Sequence, residues 1–378
     1  MIPGCLQDQV IRSFKELMNS MVYTSKVSLP SMRRFGLSLL IVAGFASSSL
    51  VHAQGTATTT TNSNFTNVGS TGATFQNIWV GARAAAMGGA FSALADDITA
   101  LYWNPAGIAK IGNGINVGAT YTRWFGDISH NFVGAVLPIS EKYRAGISMT
   151  FVDYGSMRKA TIDKDYNAGT FNANDLAIGL TLAGALTDRF SFGVTARYIH
   201  NAILDLSADG ISFDAGSLYQ TDFYNMKISL DLSNLGPDRG FTGNSLALLA
   251  NNPSLNVVGR QLDTRLVTSD FPIPLTFRIG VATDIFQGKI EGQKLNVAVD
   301  FATHSDNAET INLGGEYLWN DLLALRAGYA FNQDQLGIAG GLGVRYKSED
   351  FNGNIDYAIS PTRTFGLIHR ISISAAFQ

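Results

Sequence analysis

Cysteine is nearly absent: the one thiol, Cys5, lies in the first residues of a 378-residue chain. A disulfide framework within the chain and a cysteine-built metal site are therefore excluded, and with no apolar run before it Cys5 is a poor lipid-anchor residue. Charge is scarce too, at 15% of residues with 27 basic against 30 acidic side chains. That balance offers no basic footprint for nucleic acid. Beyond the N-terminal leader, no stretch supplies the roughly 18 consecutive apolar residues of a membrane-spanning helix. Catalytic signatures are missing as well: there is no Gly-x-Ser-x-Gly elbow, no phosphate-binding Gly-x-x-x-x-Gly-Lys loop and no His-Glu-x-x-His metal motif. His52, His130, His200, His304 and His369 are scattered, mostly near the ends of expected strands. Asp163 and Asp165 offer carboxylates to Ca²⁺, but a solvated charged loop accounts for them better. These absences point to a non-enzymatic protein with no cofactor and no metal.

The leader is specific. Met32-Arg33-Arg34 supplies a basic start, Phe35 to Phe45 an apolar core and Val51-His52-Ala53 a small-residue cleavage site, the three parts of a secretory signal peptide. Residues 1–53 are read as leader, with the true start at Met32 or, as the weaker choice, Met21. Cleavage after Ala53 removes Cys5 and leaves a thiol-free mature chain with a net charge of −6. Residues 54–77 are rich in Thr, Asn, Gly and Ser and read as a flexible segment that buries little apolar surface. Residues 78–113 turn helical, with a first helix expected over Ala82 to Leu94 and a second, N-capped by Asp97, from Ile98 to about Trp103. Pro105 biases Asn104 toward an extended backbone and ends it.

From residue 114 to 378 the period changes to two. Leu295, Val297, Val299 and Phe301 alternate with Asn296, Ala298 and Asp300, and Leu230 and Leu232 alternate with Ser229, Asp231 and Ser233. About fourteen such segments of about ten residues follow one another, the length a tilted transmembrane strand needs, roughly 9 to 11 residues. The even number suits a closed bacterial barrel. The two longest connections, around 154–173 and 236–273, both follow odd-numbered strands, while Ser140-Glu141-Lys142, Thr187-Asp188-Arg189 and Asn320-Asp321 are tight turns after even ones. That parity places the long loops outside the cell and the turns in the periplasm. The fold expected is an all-β membrane protein, an antiparallel outer-membrane β-barrel of about 14 strands with a small N-terminal helical plug. Its lipid neighbours follow from the outer-membrane location, since only helices and closed barrels satisfy every backbone group in hydrocarbon.

The run Arg83-x-x-x-Met87-Gly88-Gly89-Ala90, the acidic pair Asp96-Asp97 and then Asn104-Pro105-Ala106-Gly107 resemble the N-terminal signature of the PorV/PorQ family of FadL-like outer-membrane barrels. Asn234-Leu235-Gly236 and Pro274-Leu275-Thr276-Phe277-Arg278 are also similar to that family. Phe377 closes the last strand, with Gln378 after it, one residue off the usual terminal aromatic. The resemblance implies a barrel of type IX secretion that engages the C-terminal signal of exported proteins, and it implies that Asn104-Pro105-Ala106 holds the plug against the wall. The rival reading is a FadL-like transporter of hydrophobic small molecules. The partners expected are secreted proteins or secretion-system components, with a hydrophobic ligand under the rival reading.

Two groups of residues stand out as sites. Arg83, Asp96 and Asp97 fit salt bridges from the plug to the lumen wall, and Gly88-Gly89 marks a kink or a close contact. Polar positions on the inward strand faces include Lys227, Asp231, Arg278, Asp300, Glu316, Arg326 and Arg345, together with Arg197, Asp284, Asn296, Asp356 and Arg370. Their near-balanced signs favour a closed network bracing the plug over a water-filled pore. The glycine-dense run Gly337 to Gly343 reads as a bend or a close contact.

Overall fold

A computed structural model describes residues 69–112, 114–160, 168–251 and 261–377. The expected leader, and the candidate Ca²⁺ carboxylates Asp163 and Asp165, lie outside the described residues. The first strands of the barrel are β1 (Ile115–Arg123), β2 (Ser129–Pro138), β3 (Tyr143–Arg158), β4 (Thr170–Ala185), β5 (Phe190–Ile203), β6 (Leu206–Gln220) and β7 (Lys227–Leu235). The long connection that follows carries β8 (Thr242–Gly243), β9 (Ala247–Asn251) and β10 (Gln261–Arg265). The barrel resumes with β11 (Thr276–Asp284), β12 (Gln293–His304), β13 (Thr310–Trp319), β14 (Leu323–Phe331), β15 (Ile338–Lys347), β16 (Phe351–Pro361) and β17 (Leu367–Phe377).

Each barrel strand pairs antiparallel with its neighbours, β7 joins β11, and β1 pairs with β17 from Ile115↔Phe377 to Arg123↔His369. Together with the β5–β6 pairing this closes fourteen strands into a cylinder with no free edge, which is what hydrocarbon requires of a sheet. No helix among the described residues is long and apolar enough to cross a membrane. The expected number of strands and the places of the two long connections agree with those observed. The main difference lies in β3 to β6, which run on at the long-loop end as ribbons of 14 to 16 residues. A bulge at Asp153/Ser156, with Gly155 at φ +71°, bends the first of these. The 236–273 connection is not structureless either: β9 and β10 pair from Ala247↔Arg265 to Asn251↔Gln261.

Alternation decides which face meets lipid. Leu230, Val297, Val299 and Phe301 are exposed on the outer wall, whereas Ser229, Ala298 and Asp300 are buried inside. Exposed aromatics cluster at both rims, Tyr143, Trp319, Tyr346 and Phe377 near the short turns and Tyr121, Tyr329, Phe331 and Phe365 near the long loops. Such girdles mark the two membrane–water interfaces of a barrel.

The interior is occupied by the segment from Gly69 to Ile111, built of a 3₁₀ turn (Thr74–Asn77), α1 (Ala82–Ala86), α2 (Ala100–Trp103) and a second 3₁₀ turn (Pro105–Lys110). The plug helices are shorter than expected. The expected helix over Ala82 to Leu94 stops at Ala86, because Gly88 and Gly89 take positive φ values of 65° and 81° that a right-handed helix cannot contain. The second begins at Ala100 rather than Ile98; Asp97 still prepares it, accepting from the Thr99 N–H at 2.9 Å and from the Thr99 hydroxyl at 2.5 Å. Asn104 is extended, at φ −165°, and ends it. Ordered packing also starts earlier than residue 78: Phe75 is buried with Val152, Ile199 and Ile273, and the Gly72 N–H donates to the Pro272 carbonyl. The chain thus enters at the long-loop mouth, threads the lumen and leaves at the short-turn end, where Lys110 Nζ donates to the Asp188 carbonyl at 3.1 Å.

Lysine placed at Val297 or Leu230, in mid-wall on the lipid face, is expected to cost about 2–4 kcal/mol. At Asn296, whose amide already meets Glu316 inside the barrel at 3.1 Å, the same change should be mild. Heat-modifiable mobility on gels checks this, and equal damage at both faces contradicts the assignment of inside and outside.

Candidate functional site: the plug and its wall

Arg83 is the hub. Its Nε and Nη2 donate to Glu316 Oε2 and Oε1 at 2.8 and 2.9 Å, a two-pronged contact, while Nη1 reaches Asp96 at 2.6 Å and Asp97 at 3.0 Å. Glu316, on β13 and fully buried, also accepts from Arg326 Nε at 2.7 Å, with Arg345 at 3.7 Å. Arg326 continues to Asp356 at 2.6 Å, and Lys227 stands 3.7 Å from Asp96. α1 aims Arg83 at this wall because its alanines let the backbone come close: Ala86 packs against Gly341 on β15.

The other end of the plug is held without ion pairs. Asp300 Oδ2 accepts from the backbone N–H groups of Phe91 and Ser92 at 3.1 and 2.8 Å, and the Ser92 and Ser229 hydroxyls meet at 2.7 Å. Asn104, completely buried, donates to the carbonyls of Ser217 and Ser92 at 3.1 and 3.3 Å and accepts from the Ala106 N–H at 3.0 Å. A buried amide so nearly satisfied works as a clamp between plug and wall. Arg278 donates to Asp231 at 3.0 Å and lies over the rings of Tyr102 and Trp103 at 5.8 and 5.4 Å. Arg197 joins Asp214, Asn234 and Gln76 at 2.6, 2.8 and 3.0 Å.

The structure therefore brings together Arg83, Asp96, Asp97, Lys227, Glu316, Arg326 and Arg345 in one cluster, and Asp231 with Arg278 in another, while Asp300 meets the plug backbone alone. Asp284 belongs to neither; it accepts from the Phe286 and Leu295 N–H groups at the β11–β12 turn. Arg370 departs from the balanced picture. It is fully buried, donates to Ser360 at 3.2 Å and lies 5.5 Å over Trp124. Its Nε and Nη2, and both ring nitrogens of His130, have no hydrogen-bond partner among the described residues. Thr122 stands between them in register, paired with His130 on one side and Arg370 on the other.

Sequence reasoning missed the wall glycines. A Cβ on Gly328 of β14 would sit 2.0 Å from the Met87 carbonyl carbon, one on Gly314 of β13 2.5 Å from the Met87 oxygen, and one on Gly193 of β5 2.4 Å from Pro105. These are inward positions against which the Met87-Gly88 and Asn104-Pro105 turns rest, and their signal was present as glycine on the inward face of otherwise regular strands.

Residues 60–229 match the model of the family described as type IX secretion system protein PorV. The chain is an outer-membrane β-barrel that is similar to the PorV family over these residues. The match covers the plug and the first six strands, and it bears out the resemblance carried by Arg83, Met87-Gly88-Gly89 and Asn104-Pro105-Ala106. No curated protein matches the chain. Among solved structures, the CymD monoaromatic hydrocarbon channel is similar with a TM-score of 0.55 at 13% identity, over 80% of this chain and 98% of that one. A FadL homologue of Pseudomonas aeruginosa gives 0.48 at 14% identity over 79% and 98% of the two chains. The toluene transporter TodX of Pseudomonas putida gives 0.49 at 13% over 78% and 96%. At 13% identity the likeness to CymD is one of fold.

Exchanging Glu316→Gln leaves three arginines facing an uncharged amide and should lower barrel stability by about 3–5 kcal/mol, the cost of breaking a buried pair from one side. Arg370→Met removes a buried charge that has no counter-ion and should be neutral or stabilising. Thermal denaturation read by gel shift compares the two; a loss at Arg370 as large as at Glu316 contradicts this account of the network.

Proposed function

We propose that the protein is a plugged outer-membrane barrel of a protein-export pathway that receives exported proteins at its long-loop mouth and takes no part in catalysis. The observation that carries this reading is the PorV match over residues 60–229, which spans the whole described plug. The lumen agrees with it. The plug lies across the interior, and ion pairs and amides tie it to the wall beside one buried apolar cluster that both share. The rim offers a platform instead: Arg239 pairs with Phe271 through the backbone and donates to the Ala208 carbonyl at 3.1 Å, so the β9–β10 hairpin rises from a braced base.

The second reading, passage of hydrophobic small molecules, has in its favour a fold shared with a structure described as a hydrocarbon channel. The hairpin separates the two. Removing Ala247–Arg265 and joining its ends with a Gly-Ser pair should leave a heat-modifiable barrel, because the Arg239–Phe271 bridge and the fourteen-strand closure are untouched. Co-purification of secreted proteins should be lost. Normal export together with impaired uptake of hydrophobic compounds would overturn the export reading in favour of transport.

A further inference from the structure

The hairpin of β9 and β10 forms a two-stranded sheet of its own, apart from the closed cylinder. A ribbon of two five-residue strands is marginal in water, because each strand has a neighbour on one side only. Its register shows which backbone groups are in use. The Leu266 N–H donates to the Leu246 carbonyl at 2.8 Å, so 246 and 266 form a hydrogen-bonded pair. Alternation along the antiparallel ladder makes 248↔264 and 250↔262 the next such pairs and leaves 247↔265, 249↔263 and 251↔261 turned away from each other. In agreement, the Ala247 N–H donates to the Asn244 carbonyl and not across the ladder. The N–H and C=O of Leu249 therefore point out of the edge of β9, and those of Asp263 out of the edge of β10. Among the described residues no other strand pairs with either edge.

The two edges differ in sequence. β10 reads Gln261-Leu262-Asp263-Thr264-Arg265, with a charge of each sign, a common guard against pairing with another chain. β9 reads Ala247-Leu248-Leu249-Ala250-Asn251, with no charge and no proline. An unguarded edge is a template for strand addition, in which main-chain hydrogen bonds supply the affinity. The foot of the hairpin is tied to the long-loop rim by the Arg239–Phe271 bridge and by β8 beside β6. β9 is thus held at the mouth to which the export reading brings its cargo. We infer that β9 receives an extended, uncharged segment of an exported protein as a third strand of this sheet, across the edge that Leu249 centres. Three strands are the size at which a small sheet begins to hold by itself, so cargo and hairpin order each other. The inference rests on the export reading and adds how the cargo is gripped.

Proline at position 249 tests the edge while sparing the hairpin, because the Leu249 N–H takes no part in the β9–β10 ladder and proline is tolerated on such edges. The tagged full-length barrel is isolated from native outer membranes, the exported proteins that co-purify are identified by mass spectrometry, and the same proteins are quantified on each variant. Leu249→Pro should lower their recovery about tenfold, the effect of one or two lost hydrogen bonds. Leu249→Ala, which keeps the N–H, and Asp263→Pro, on the guarded edge, should stay within about twofold of the intact protein. A second measurement needs no variant: on adding one of the identified proteins to the purified barrel, the Leu249 amide should exchange more slowly with deuterium. Equal recovery on Leu249→Pro and the intact barrel, an equal loss on Leu249→Ala or Asp263→Pro, or an unprotected Leu249 amide overturns strand addition and leaves the export reading standing. Absence of any exported protein from the intact barrel overturns the export reading, and this inference with it. A dimer of the free barrel that Leu249→Pro dissolves assigns the edge to a second copy of the chain and overturns the inference too.

Discussion

The contact between Arg83 and Glu316 governs how this barrel can be filled. A carboxylate fully buried inside a lumen carries a desolvation cost of several kcal/mol, which close opposite charges must offset. Arg83 meets it with two parallel hydrogen bonds, the geometry in which a guanidinium and a carboxylate bind best. Around this pair stand Lys227, Arg326 and Arg345 on one side of the ledger and Asp96, Asp97 and Asp356 on the other, so the cluster is neutral without a mobile counter-ion. A neutral cluster centred on a fully buried pair is a lock, with Asp96 and Lys227 at its solvent-reached edge. The helix that supplies Arg83 is a mere five residues long. Its position depends on the wall, since so short a helix has little stability of its own.

Small residues make that dependence possible. Where the plug turns at Met87-Gly88 and again at Asn104-Pro105, the wall answers with Gly314, Gly328, Gly193 and Gly216, positions at which a methyl group would overlap the plug. The backbones therefore touch, and the polar groups between them, Asp300 to the Phe91 and Ser92 amides and Asn104 to the Ser217 carbonyl, are made at ordinary hydrogen-bond distances. Ion pairs hold one side of the plug and backbone contacts the other.

Much of this was legible in the sequence because a barrel wall writes its geometry one residue at a time. Inward Asp300 and outward Val299 and Phe301 follow from the period of two, and the parity of the long connections follows from strand direction. The plug was less legible. Its Ala/Gly run has helical composition, yet Gly88 and Gly89 fold it back after Ala86, a decision taken by contact with β13 and β14 that no local propensity records. The early seating of Phe75 escaped notice for the same reason: its partners Val152, Ile199 and Ile273 are far away in the chain. Charge counting also misjudged Arg370, since balance over the whole lumen says nothing about whether each cation finds its own carboxylate.

The central claim is that the described plug closes the lumen. Conductance across a planar bilayer containing the purified protein tests it most directly. The account predicts no steady open-channel current for the intact protein, with current appearing when Glu316 and Asp300, which hold the two sides of the plug, are both replaced. A stable ohmic pore in the unaltered protein would contradict it.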